Sequence, residues 1–342
     1  MIGAIAGDII GSVHEGAGTK TKDFPLFAAD CRFTDDTVLT VAVAERLLHG
    51  GDYVELFHDY FHAYPWAGYG GSFVRWARSR DREPYHSWGN GSAMRVSPVG
   101  FAGQSLEEVR AEARRSAAVT HDHPEGIRGA EATAVAVFLA RTGQGKREIK
   151  AHIGREFGYD LSDRLDDIRV GYRFDVSSRG SVPQSIIAFL ESEGYEDAVR
   201  NAISLGGDAD TMACIAGGIA EAFYGGLPGT VRDRAMALLD DRLRVVVDEF
   251  FERSGPAGRD AGSDRASRGS QGRRRATHPG EGGAPGVATV GQPRRPPPSD
   301  RLDGGRSRSY SWRLGPVPGH GHQDRGLRGI AGPPGAAKGS SR

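Results

Sequence analysis

Two acidic knots carry the side chains best suited to chemistry in this chain. The first reads Phe33-Thr34-Asp35-Asp36-Thr37 and the second Gly206-Gly207-Asp208-Ala209-Asp210-Thr211. Each joins two carboxylates to threonine hydroxyl groups, the hard oxygen donors that Mg²⁺ and Mn²⁺ prefer. Each also precedes an apolar run (Val38, Leu39 and Val41–Val43 in one case; Met212, Ala213, Ile215, Ala216 and Ile219 in the other), so each opens a predicted helix. Thr and Asp are favoured N-cap residues, and acids in a first turn complement the helix dipole, so capping alone accounts for a single knot. A cap uses one oxygen, however, and crowded like charges are costly unless a cation neutralises them. Seeing the pattern twice favours one metal site assembled by folding, with more than one ion in it.

The elements that must position these knots are helical. Apolar residues recur at three- and four-residue spacing over Thr37–His49, Tyr53–Tyr60, Leu106–Ala118, Gly126–Thr142, Lys146–Phe157, Gln184–Glu191, Tyr195–Leu205, Asp210–Tyr224 and Thr230–Arg253. No alternating pattern persists, so the expected class is all-α. Small residues crowd Gly126–Ala140 and Asp210–Tyr224, which suits close packing in the centre of a bundle, and Gly225 reads as a C-cap. Between the helices lie glycine-rich stretches, Gly68–Ser72, Trp88–Gly100 and Val176–Pro183, expected to be loops; such loops in a helical domain often line a ligand site. In Trp88-Gly89-Asn90-Gly91-Ser92-Ala93-Met94-Arg95, backbone N–H groups could cradle an anion, with Arg95 either adding charge or pairing with a nearby acid.

Acids and bases balance overall, but unevenly along the chain. Residues 254–342 hold 16 Arg and Lys against 6 Asp and Glu, together with 20 of the 50 glycines and 11 of the 18 prolines, so residues 1–253 carry the compensating negative charge. A segment so poor in periodic apolar residues cannot offset its ordering entropy, and residues 254–342 are expected to be a disordered basic tail. Nucleic-acid binding is one use for such a tail; with no repeat, aromatic interleaving or fixed arginine spacing, an extension without function is the favoured reading. Residues 1–253 suffice for one domain. Cys31 and Cys214 match no zinc or redox spacing and read as small packing residues, so a cytoplasmic setting is the default. The first ten residues contain Asp8 and no basic stretch, arguing against a signal peptide or anchor, and no apolar run is long enough to span a membrane. Asp8 itself reads as a helix cap or as the holder of a Gly7–Gly11 turn. His121 and His123 lack partners for a zinc site, and Trp66, Tyr69, Trp76 and Trp88 read first as packing residues, with Tyr69 and Trp88 as alternatives for stacking on a base.

Taken in order, the motifs resemble those of the ADP-ribosylglycohydrolase family, the relatives of dinitrogenase-reductase-activating glycohydrolase. The resemblance runs through Gly7-Asp8-Ile9-Ile10-Gly11-Ser12-Val13-His14-Glu15, the first knot, Gly89-Asn90-Gly91-Ser92-Ala93-Met94-Arg95, Thr120-His121-Asp122-His123-Pro124, Val182-Pro183 and the second knot, and covers roughly residues 1–250. It implies a compact orthogonal helical bundle with two Mg²⁺ or Mn²⁺ ions in a central cleft. The metal positions fall on Thr34, Asp35, Asp36, Asp208, Asp210 and Thr211. Glu15 falls on a glutamate near the metals and the scissile bond, with Asp36 and Asp208 behind it as candidates for the catalytic carboxylate. Gly89, Asn90, Gly91, Ser92, Met94 and His121 fall on the substrate-binding loop and cleft. The implied reaction releases ADP-ribose from a modified protein side chain or a small conjugate. The alternative is an inactive ADP-ribose-binding or structural protein on the same fold. Gly16–Arg32 and Gly68–Tyr85 are the expected acceptor loops.

Overall fold

The computed structural model describes residues 1–254. The expectation of disorder for 254–342 therefore falls outside the described residues, except for Ser254, which ends the last helix. Among the described residues there are fifteen helices and no strand: α1 (Ile2–Gly11), α2 (Asp35–His49), α3 (Tyr53–Ala63), α4 (Gly71–Ser79), α5 (Gly91–Met94), α6 (Ser97–Ala102), α7 (Leu106–Ala118), α8 (Pro124–Arg141), α9 (Lys146–Phe157), α10 (Leu165–Gly171), α11 (Ser178–Leu190), α12 (Tyr195–Ile203), α13 (Ala209–Tyr224), α14 (Gly229–Ala237) and α15 (Asp241–Ser254). The fold is all-α. No described helix is long and apolar enough to cross a membrane.

Two helices form the spine. α13 is buried from Ala209 to Glu221 and packs on α1, α8, α11 and α12. α1 is buried over its whole length. Its Gly3, Gly7 and Gly11 make one stripe against α13. A methyl at Gly7 would lie 2.1 Å from the Ala213 carbonyl oxygen, and one at Gly11 would lie 2.5 Å from Asp210 Cα. Only hydrogen fits there, so the backbones touch and α1 passes directly beside the second knot. α2 packs on α1 and presents the first knot to the same place.

Several expectations are corrected. Asp8 holds no Gly7–Gly11 turn; it lies inside α1, fully buried, and the helix end it serves is that of α2. The stretch Trp88–Gly100 is largely helical, as α5 and α6, and α11 begins at Ser178 rather than after Pro183. Helices of four and six residues are too short to display a 3.6-residue period, and the interior Pro183 disguised the first turn and a half of α11 as loop. The predicted helix over Thr230–Arg253 is two, α14 and α15. They part at Asp240, whose carboxylate accepts the amide of Leu243 at 3.0 Å and the hydroxyl of Tyr64 at 3.0 Å.

Candidate active site

The first knot is held from two sides. Thr34 is the N-cap of α2, and its hydroxyl accepts the Asp36 amide at 3.3 Å. From α1, the buried carboxylate of Asp8 accepts the Thr34 amide (2.9 Å), the Thr34 hydroxyl (2.7 Å), the Thr37 amide (3.1 Å) and the Thr37 hydroxyl (2.5 Å). An anion placed at a helix N-terminus is favoured by the dipole, and here it satisfies donors that the helix leaves unpaired. Asp36 is thereby directed away from its own helix end. Its Oδ2 accepts the Thr211 hydroxyl at 3.3 Å, while its Oδ1 is buried with no hydrogen-bond partner.

The second knot opens α13. Asp208 occupies the cap position without making a cap bond. Its Oδ2 instead accepts from Asn90 Nδ2 at 2.8 Å, and the same amide donates to Ser181 Oγ at 3.1 Å. Asp210 accepts the Thr211 amide at 2.9 Å. Folding brings the carboxylates into two triads, Asp8–Asp36–Asp210 and Glu15–Asp208–Asp210, with one oxygen from each member within 4.8 Å of the others. Asp210 belongs to both. Asp35 belongs to neither triad; it is half-buried in the cleft wall and lies beside Gly68.

Burial raises the pKa of every one of these acids. Repulsion by Asp8 and Asp208 adds to it at Asp35, repulsion by Asp210, Asp8, Asp35 and Asp208 at Asp36, and repulsion by Asp208, Asp8 and Glu15 at Asp210. Asp208 is raised by burial and eased by its hydrogen bonds, and Asp8 is raised by burial and eased by the Thr34 and Thr37 donors. The exposed Glu15 is raised by desolvation and Asp208, against a lowering by Arg32. So many acids, with an orphaned Asp36 oxygen among them, fit a divalent cation. These are acidic groups that could hold a metal ion.

Around them lies a cleft of about 330 Å³, lined by Glu15, Arg32, the acids of both knots with Thr34 and Thr211, Gly89, Asn90, Gly91, Met94, Arg95 and His121. Met94 lies beneath the second knot: its carbonyl accepts from Cys214 Sγ at 3.2 Å and its sulfur receives Thr211 Oγ1 at 3.8 Å. The Ser92 hydroxyl faces elsewhere, donating to the Gly126 carbonyl at 2.8 Å, so Ser92 offers the cleft no side-chain group. Arg95 pairs with no acid among the described residues: it is fully buried, donates to Ser116 O and Thr120 Oγ1, and its guanidinium lies against the Phe57 ring. His123 is structural, its Nδ1 capping α8 through the Glu125 amide. Tyr69 stacks on Phe73 in the core, centroids 5.0 Å apart, and so does not face the cleft. Trp66 and Trp88 are not core residues; each is more than half exposed, and Trp66 forms part of the cleft wall. The sequence reading gave Asp8 and Thr37 no part in the site and did not single out Ser181. The signals for Asp8 were its place in the Gly7–Glu15 motif and its standing as the one charge in an apolar segment.

This arrangement, a helical bundle whose cleft is walled by acids from two helix N-termini and a Gly-Asn-Gly turn, defines a class. A family model described as ADP-ribosylglycohydrolase matches residues 1–260. ADP-ribosylhydrolase ARH3 of Mus musculus is 29% identical over 305 aligned positions, covering 66% of this chain and 82% of that protein. ADP-ribosylarginine hydrolase Tri1 of Pseudomonas putida (strain GB-1) is 26% identical, covering 74% of this chain and 77% of that protein. A solved structure titled ADP-ribosylglycohydrolase-related protein complex shares the fold, with a TM-score of 0.54 and 24% identity over 74% of this chain and 97% of that one. The chain belongs to the ADP-ribosylglycohydrolase family. It is an enzyme of the hydrolase class, an ADP-ribosyl glycohydrolase.

Proposed function

We propose that this chain hydrolyses the bond between the ribose anomeric carbon of ADP-ribose and a modified protein side chain or small conjugate, and that it needs divalent metal to do so. The observation that carries the reading is the pair of carboxylate triads sharing Asp210. Two sets of acids with a common member suit two cations, with Thr34, Asp35, Asp36, Asp208, Asp210 and Thr211 as the donors that would hold them. When bound, such a pair of Mg²⁺ or Mn²⁺ ions supplies Lewis acidity toward ribose hydroxyls and water and offsets the charge of the acids. Asp8, already accepting four hydrogen bonds, supports the site by holding the first knot in place.

The chain's own groups account for the rest. Glu15 stands at the solvent side of the second triad, and desolvation together with Asp208 makes it a stronger base than an ordinary carboxylate. It takes a proton from water as the water oxygen bonds to the anomeric carbon, and the acceptor departs with the bonding electron pair. Asp36 and Asp208 are the other carboxylates near enough to the acid cluster for this role, but both are buried and Asp208 is held by Asn90. Gly89, Gly91, Met94 and His121 form the wall against which ADP-ribose lies, and Trp88, exposed beside Gly89, is placed to stack on its base. Ser92 and Cys214, close to the turn and the second knot, both donate to carbonyl groups and so are not set up as nucleophiles.

The test is release of ADP-ribose from a panel of ADP-ribosylated proteins and small conjugates with Mg²⁺ or Mn²⁺. Glu15→Gln should slow release by about 10²–10⁴-fold while ADP-ribose binding, followed by calorimetry, is retained. Binding without release from any panel member would replace the hydrolytic reading with that of a binding protein. Deleting residues 261–342, beyond the family match, should leave release unchanged.

A further inference from the structure

Behind the Gly-Asn-Gly turn lies a hydrogen-bonded chain that the hydrolytic chemistry does not itself require. Arg95 is wholly buried and has no carboxylate partner among the described residues. Its Nη2 donates to the Ser116 carbonyl at 2.7 Å and to Thr120 Oγ1 at 2.9 Å. Thr120 Oγ1 in turn lies 2.8 Å from His121 Nδ1. Arg95 and His121 are the two partners of the Thr120 hydroxyl among the described residues. The far edge of the imidazole sits under the turn. A methyl at Gly91 would lie 3.1 Å from His121 Nε2, and one at Gly89 3.7 Å from it. His121 lines the cleft, and its Nε2 makes no hydrogen bond among the described residues.

The polarity of this chain follows from its donors. A guanidinium has only N–H groups to give and cannot accept. Thr120 must therefore receive the Arg95 hydrogen on a lone pair. The single hydroxyl proton then goes to the remaining partner, His121 Nδ1. A ring nitrogen that accepts carries no proton, so in the neutral ring the proton sits on Nε2, on the cleft side. Burial and the nearby Arg95 charge both disfavour the imidazolium, holding His121 well below its ordinary pKa.

We propose that Arg95 is a positioning residue which, through Thr120, fixes His121 as the Nε2–H form and so presents an uncharged donor to an oxygen of the ADP-ribose lying against Gly89–Gly91. The inference rests on the reading of the cleft as the ADP-ribose site. It adds a reason for an arginine at this depth: a buried cation placed not to touch ligand but to set which histidine nitrogen holds the proton.

Long-range ¹H–¹⁵N spectra of ¹⁵N-histidine-labelled protein test it, with His121→Asn identifying the resonances. The wild-type ring should show a protonated Nε2 and a bare Nδ1 at neutral pH, and Thr120→Ser should keep that signature. Thr120→Val should give mixed tautomers and weaken ADP-ribose binding in Mg²⁺ about tenfold, the size of one hydrogen bond lost. Arg95→Met should do the same where it folds; the two Thr120 variants decide the matter where it does not. A proton on Nδ1, a doubly protonated ring, or a Thr120→Val protein with wild-type spectrum and affinity would overturn the proposal. If the wild type binds no ADP-ribose, the functional reading fails, while the spectrum still decides the tautomer.

Discussion

At the start of α2, Thr34 folds its hydroxyl back onto the Asp36 amide, and a buried acid from another helix takes the amides of Thr34 and Thr37. At the start of α13, Asp208 leaves the helix end without a side-chain cap and turns to Asn90. The two knots have nearly the same composition but different anchors. The first is tied by Asp8 to α1, a helix packed backbone to backbone against α13, so its position is a property of the core. The second is tied to the Gly-Asn-Gly turn, so its position depends on the loop that walls the cleft. The difference separates stability from ligand response: disturbing the anchor of the first should cost folding, and disturbing that of the second should cost binding and turnover.

The shared acid gives the largest effect. Asp210→Ala removes a member of both triads and should lower ADP-ribose release by at least about a thousandfold, beyond the 10–100-fold typical of a group that only orients a ligand. Calorimetric titration with Mg²⁺ and Mn²⁺ should show both equivalents lost. A variant that still binds two ions would dissolve the idea of a common acid. Stripping divalent ions with EDTA should abolish release reversibly. Restoring Mg²⁺ to about a hundred times its Kd should stabilise the fold by about 2.7 kcal/mol, read as a rise in Tm of roughly 5–10 °C for a domain of this size; an unchanged Tm would mean that the acids do not hold the ion.

Anchor replacements sharpen the contrast. Asp8→Ala leaves the buried amides of Thr34 and Thr37 without a partner, and at about 1–3 kcal/mol for each unsatisfied buried group the melting curve should shift down by roughly 4–24 °C. Asn90→Ala should move Tm by much less, yet lower turnover or metal affinity about 10–100-fold, as loss of a group that orients a ligand does. Interchanged outcomes, with Asn90 governing stability and Asp8 only turnover, would reverse the assignment of the two anchors.

How much was legible in the sequence depended on how a segment is buried. Helices with one wet face, such as α7 and α9, were read with their observed limits because polar and apolar residues alternate at the helical period. α1 has no wet face, so its apolar residues carry no period, and its glycine stripe has meaning only once α13 lies against it. Asp8 escaped for the same reason: its four donors come from residues 26 and 29 positions further on. Asp35 and Asp36, adjacent in sequence, looked equivalent as ligands. The helix points them differently, Asp36 to Thr211 and Asp35 toward Gly68.

Residue type and local order by themselves determined the helical class, the two oxygen-rich helix starts, and the family whose motifs they share, because propensity, periodicity and the chemistry of a donor set are properties of short stretches. Tertiary structure alone decided that Asp210 belongs to both triads, that Asp8 serves the start of α2 from within α1, and that Arg95 ends against Ser116 and Thr120 instead of an acid. Each of these depends on distances between segments tens to hundreds of residues apart, and those distances are set by the close packing of α1, α2, α5, α8 and α13.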